Sequence, residues 1–254
     1  MSTSFIPHSN ENELEKAKEL FLLGLENFQQ GVFNEAEKFF SLSLEKMPDR
    51  LSTLTNLGAT LIKLERISKA DVFVTRALEI FPDDAQCLFL KAAILEATNE
   101  LPEAVEHLDR LLAIDTNFAE AHYKRGFILH LLNRLDEAIA NYNVAIDLLP
   151  SHALAYNNRG VAQRKLDDIQ SALESFSKAI DIDPYFADAH YNKGLALYDI
   201  QLFQEALQNS DQATALNPHY AEAFLNRGLT LQDLFLTQDA ISSYEQAIKL
   251  RGDY

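Results

Sequence analysis

Tryptophan is absent, cysteine occurs once, and glycine and proline number only eight and seven among 254 residues. With Cys87 alone, no internal disulfide can form. The scarcity of glycine and proline argues against a turn-rich sheet protein, and the abundant Ala, Leu, Glu and Asp favour helices instead. No apolar run approaches the length needed to cross a bilayer. The N-terminus, MSTSFIPHSNENELEK, has no basic stretch leading into an apolar core, so it does not read as a signal peptide. No long basic tract interrupts a chain of formal charge −16, so nucleic-acid phosphates and anionic membranes should be repelled. These absences point to a reducing, cytoplasmic setting and to protein partners that are neutral, apolar or basic. The acidic residues also keep a long helical surface soluble. Apolar residues make up 47% of the chain, ample for a core.

What is present is periodic. Six glycines, Gly24, Gly58, Gly126, Gly160, Gly194 and Gly228, lie on one lattice of period 34, and Ala92 fills its single gap. Twelve residues after each lattice point stands an alanine: Ala36, Ala70, Ala104, Ala138, Ala172, Ala206 and Ala240. Seven residues later come Ala77, Ala145, Ala179, Ala213 and Ala247, with Ser43 and Leu111 in the other two places. Pro48, Pro82, Pro150, Pro184 and Pro218 repeat in register, with Thr116 and Gly252 as exceptions. The repeats are 17–50, 51–84, 85–118, 119–152, 153–186, 187–220 and 221–254, after a tail at 1–16 expected to be mostly disordered before it runs into the first helix.

Within the fifth repeat, ALAYNNRGVAQRKL and IQSALESFSKAIDI each carry helical periodicity, separated by the polar break Asp167–Asp168. Asp183–Pro184 ends the second stretch, because proline lacks the N–H and biases its predecessor away from helix. Each repeat is therefore expected to be a hairpin of two helices. The small residues at repeat positions 8, 20 and 27 allow close helix approach. Bulk at position 4 (Leu54, Leu88, Tyr156, Phe224) and position 24 (Phe40, Tyr142, Phe176, Tyr244) fills the gaps.

This pattern resembles the tetratricopeptide repeat family over residues 17–254. The resemblance implies an all-α fold, a right-handed superhelical solenoid of antiparallel helix hairpins, with first helices lining a concave groove and second helices forming the convex wall. It also implies an interaction scaffold or adaptor that receives a peptide or protein segment in that groove. Another reading is that the chain is the substrate-recruiting arm of a larger enzyme, such as a glycosyltransferase. The seventh repeat ends at Tyr254 without a polar cap, which would leave Ala247 and Ile248 uncovered. That is expected either of an excised piece or of an end covered by self-association.

Position 6 carries Asn56, Asn158, Asn192 and Asn226. Similar asparagines hold a peptide backbone in the tetratricopeptide arm of O-linked N-acetylglucosamine transferase, and a primary amide can donate and accept at once. Tyr123, Tyr191 and Tyr198, at groove positions 5 and 12, are candidate aromatic anchors. A carboxylate clamp of the co-chaperone type is not expected: no repeat pairs lysine with asparagine at positions 5 and 9, and position 2 from the third repeat onward reads Gln86, Glu120, Leu154, Asp188 and Glu222. His122, His190 and Cys87 occupy positions filled elsewhere by packing residues. No nucleotide-binding glycine loop, HExxH, GxSxG or paired CxxC occurs, so no catalytic residue, metal or cofactor is expected.

Overall fold

The computed structural model describes residues 8–251, and among them are fourteen α-helices and no strand. The chain divides into two units, Met1–Asn117 and Phe118–Tyr254. The first contains α1 (His8–Gln29), α2 (Phe33–Lys46), α3 (Leu51–Lys63), α4 (Ile67–Ile80), α5 (Ala85–Ala97) and α6 (Leu101–Ile114). The second contains α7 (Ala119–Leu131), α8 (Leu135–Leu148), α9 (Ala153–Lys165), α10 (Ile169–Ile182), α11 (Ala187–Asp199), α12 (Phe203–Leu216), α13 (Ala221–Asp233) and α14 (Thr237–Leu250). In each unit consecutive helices pack as hairpins and the hairpins stack on one another, as the 34-residue lattice requires.

Position 8 is the seat of each hairpin. A Cβ on Gly160 would lie 2.6 Å from the Phe176 ring, and one on Gly24 would lie 2.6 Å from that of Phe40. Glycine is thus required where a ring from the second helix presses on the first. Phe40, Tyr142 and Phe176 are each fully buried, contributing about 2–3 kcal/mol apiece by area removed from water. The position 20 alanines are buried to 3% exposure or less in all seven repeats. In the first unit one core joins Phe40, Leu54, Leu57, Leu61, Val74 and Leu90. In the second, smaller clusters gather around Tyr123, Ile146 and Tyr156, and around Phe176 and Ala196.

Every hairpin turn uses the same backbone device. The residue at position 15 has positive φ throughout: Gly31, Glu65, Asn99, Asn133, Asp167, Gln201 and Phe235. Its successor donates back to the third residue from the helix end, as Arg66 N–H does to Leu61 and Leu202 N–H to Leu197, satisfying a carbonyl that the helix would otherwise leave orphaned. Phe235 stands out here, since a bulky side chain in the left-handed region (φ 60°) is strained and this one is 91% exposed. Cys87 is fully buried, its thiol 3.2 Å from Thr55 Oγ1, and burial pushes its pKa up to about 12.

The termini differ from expectation. Helix α1 begins at His8, nine residues before the first repeat boundary at 17, so 8–16 extend the first helix rather than forming a loose tail. The rest of that tail, 1–7, lies outside the described residues, as do 252–254 at the end of the seventh repeat. Ala247 was expected to lack cover but is 1% exposed, because α14 turns it toward its own hairpin; Ile248, 49% exposed, does face outward.

Candidate functional site

Positions 2, 5, 6, 9, 12 and 13 share the face of a first helix that points away from its own second helix, since positions 3, 8 and 11 supply the buried side. In the second unit α7, α9, α11 and α13 stack side by side and present this face together. Five residue pairs join across it at a spacing of 35, one repeat plus one residue. Three of them run from position 12 to position 13 of the next repeat. Arg164 Nε donates to Asp199 Oδ2 at 2.6 Å, Lys165 Nζ donates to His130 Nε2 at 2.9 Å, and the Tyr198 hydroxyl donates to Asp233. Burial and the neighbouring Lys165 charge both lower the His130 pKa, leaving its ring nitrogen an acceptor.

The other two pairs run from position 5 to position 6 and merge into a relay. Asn192 Nδ2 donates to Asn157 Oδ1 at 3.0 Å, Asn157 Nδ2 donates to Asn158 Oδ1 at 3.2 Å, and Asn158 Nδ2 donates to the Tyr123 hydroxyl at 3.2 Å. Three repeats are thereby tied by amides that still have unused valences. Asn192 keeps its carbonyl and one N–H, and Asn158 keeps one N–H, on side chains only half-buried.

The structure therefore brings Asn158, Asn192 and Tyr123 together and separates other expected members. Asn226 is a correction. It is 4% exposed and donates to Ser210 Oγ at 3.2 Å, because Ser210 replaces the ring found at position 24 and leaves room for the amide to turn inward. Asn56 lies in the first unit and donates to the Ser52 carbonyl of its own helix at 2.7 Å. Tyr123 and Tyr191 are half-buried, each covered on one side by position 34 of its own repeat: His152 at 4.6 Å and Tyr220 at 4.9 Å between ring centroids. Tyr198 packs against Phe203 at 5.4 Å, and its hydrogen bond to Asp233 pushes its pKa up to about 12.

Sequence reasoning missed Asn157, which carries the relay, and the acceptors Asp199 and Asp233 at position 13. It also missed the cations at position 7. Lys91, Arg159 and Arg227 reach Thr75, Asn143 and Asp211, each at position 25 of the preceding repeat. The signal was available, because Lys or Arg recurs at position 7 from the third repeat to the seventh. On the opposite side from the relay, an open furrow of about 780 Å³ runs between α8 and α10, floored by Tyr156 and Arg159. Among the described residues no group of His, Cys, Asp and Glu is placed to hold a metal, and no helix is long and apolar enough to cross a membrane.

Stacked helix hairpins of this length, with glycine seats and a left-handed turn residue, define a class of helical repeat protein. Tetratricopeptide repeat families match residues 153–186 and 191–254, and a TPR repeat family matches 92–133 and 128–167. The chain belongs to the tetratricopeptide repeat family. A solved tetratricopeptide repeat protein from Parabacteroides merdae aligns over 93% of this chain and 94% of its own, with TM-score 0.72 at 16% identity. The Pseudomonas aeruginosa pilF structure aligns over 80% and 93%, with TM-score 0.72 at 22% identity. YrrB, described as a TPR protein with an unusual peptide-binding site, aligns over 71% and 93%, with TM-score 0.59 at 25% identity. Comparison with curated proteins returned no match. Membership supports a general role as a protein-interaction scaffold, a role that is typically non-catalytic.

Proposed function

We propose that the chain is a scaffold whose relay face in the second unit receives an extended segment of another protein. The observation that carries this reading is the Asn192–Asn157–Asn158–Tyr123 relay. Its amides are held in place by one another, so a peptide backbone meeting the unused donors and acceptors would pay little further side-chain entropy. A primary amide recognises main chain without demanding one side chain, and Tyr123, Tyr191 and Tyr198 offer half-covered rings beside it. The description of YrrB as peptide-binding agrees with this use of the fold.

A random peptide library screened against the purified chain should yield binders whose affinity falls when Asn158 and Asn192 are replaced together by alanine. Two lost hydrogen bonds at about 1 kcal/mol each correspond to a loss of roughly 30-fold. Asn56→Ala, in the other unit, serves as the matched control. Binders unaffected by the double substitution would remove the relay from the account.

A further inference from the structure

The charges on the relay face are sorted by sign along the stack. Over the fourth and fifth repeats the face carries Lys124 at position 6, Arg164 at position 12 and Lys165 at position 13, against one carboxylate, Glu120 at position 2. Over the sixth and seventh repeats the same positions carry Asp188, Asp199, Glu222 and Asp233 and no lysine or arginine. In a chain of formal charge −16, a net basic stretch on one face is unexpected. Local pairing does not erase the sorting. Arg164 and Asp199 neutralise each other at the midpoint, and Lys165 is paired with the uncharged acceptor His130, so its charge is retained. Asp233 accepts from the neutral Tyr198 hydroxyl and keeps its charge as well. Glu222 faces Arg251 at 2.7 Å, and Glu120 faces His152 at 3.4 Å and lies beside Lys124, both of which lower its pKa. With those pairs set against each other, Lys165 still leaves the fourth and fifth repeats net positive on this face, and Asp188 and Asp233 leave the sixth and seventh net negative.

We infer that the segment bound on this face is bipolar. An acidic stretch lies over the fourth and fifth repeats, and a basic stretch lies over the sixth and seventh. This rests on the reading of the relay face as the binding surface and adds the chemistry of its occupant. Carboxylates over the last two repeats would repel a phosphate backbone, so the occupant is polypeptide. Helix axes packed about 10 Å apart make the four-repeat face about 30 Å long, which an extended segment of about ten residues spans. Opposite charges at the two ends fix which end of the segment lies where, while the central amides hold the backbone.

The test uses the full chain and two fluorescent peptides of about twelve residues and identical composition, long enough for the face. One has a block of glutamates followed by a block of lysines; the other alternates the two. The block peptide should bind about tenfold tighter at low salt, and the preference should fade above roughly 0.5 M salt as screening shortens the reach of the charges. Lys124→Glu combined with Lys165→Glu should abolish the preference while improving binding of an all-lysine peptide, with helix content by circular dichroism unchanged. Equal binding of the two peptides, no binding of either, or tighter binding of the all-lysine peptide to the unmodified chain would overturn the inference. The relay reading fails separately. If library peptides lose affinity in the Asn158→Ala, Asn192→Ala variant yet show no charge segregation, the face binds but the occupant is not bipolar.

Discussion

Adding a single methyl group should have opposite consequences at two glycines of the same lattice. At Gly160 a Cβ would sit 2.6 Å from Phe176 Cε1 and 2.8 Å from Cδ1, and that ring is fully buried with nowhere to retreat. Overpacking of this kind costs about 1–3 kcal/mol, and the helix-propensity gain of alanine over glycine returns about 1 kcal/mol. Gly160→Ala should therefore lose about 1 kcal/mol, up to about 2. At Gly194 the nearest atom is Ser210 Oγ at 3.2 Å, which needs to shift by only a few tenths of an ångström while keeping its bonds to the Ala206 carbonyl and Asn226, so the propensity term dominates. Gly194→Ala should gain about 0.5–1 kcal/mol. The chain already holds a compatible case, since the third repeat pairs Ala92 with the aliphatic Leu108 rather than with a ring. Urea unfolding of the full chain followed by circular dichroism would read the two midpoints, which should separate by about 2 kcal/mol. If Gly160→Ala proved as stable as Gly194→Ala, the glycines would not be seats for position 24, and the packing argument built on them would fail.

Other substitutions test single contacts. Asn226→Ala should destabilise by about 1 kcal/mol in the same assay, because it removes a buried hydrogen bond to the Ser210 hydroxyl, which keeps its own donation to the Ala206 carbonyl; Asn56→Ala should cost under about 0.5 kcal/mol. The Tyr142 hydroxyl is buried without a hydrogen-bond partner among the described residues, and Phe40 and Phe176 fill the same position elsewhere. Tyr142→Phe should accordingly raise stability by about 1 kcal/mol. Tyr198, whose pKa is pushed up to about 12 by donation to Asp233, should titrate by ultraviolet absorbance well above an ordinary tyrosine, and Asp233→Asn should bring it down. A raised tyrosine pKa stabilises the fold fully below the unfolded value near 10, and that contribution disappears as pH rises through about 12. Unfolding midpoints that stay level across that window would contradict the hydrogen bond.

The two-helix repeat was legible because its causes are local and recur. Proline and the left-handed turn act within a few residues, and a glycine seat meets a ring sixteen positions away in the same repeat. Seven copies raise that signal above any single propensity. The reach of α1 back to His8 was harder to read, since the lattice says nothing of residues before its first unit.

The candidate site was legible only in part. Position 6 identified Asn158 and Asn192, but whether an asparagine faces solvent depends on what the neighbouring hairpin places behind it. Asn226 turned inward because Ser210, in another repeat, left space. Asn157 sits where other repeats hold Tyr123 and Tyr191, so its column looked aromatic until the contact at a spacing of 35 joined it to Asn192. Residue types and period alone determined the hairpins, their number and their buried faces, because those follow from short-range sterics and helical geometry. The pairing of side chains between hairpins, and with it the relay, was decided by the tertiary structure, since a bond between successive repeats depends on how far one hairpin is displaced along the next.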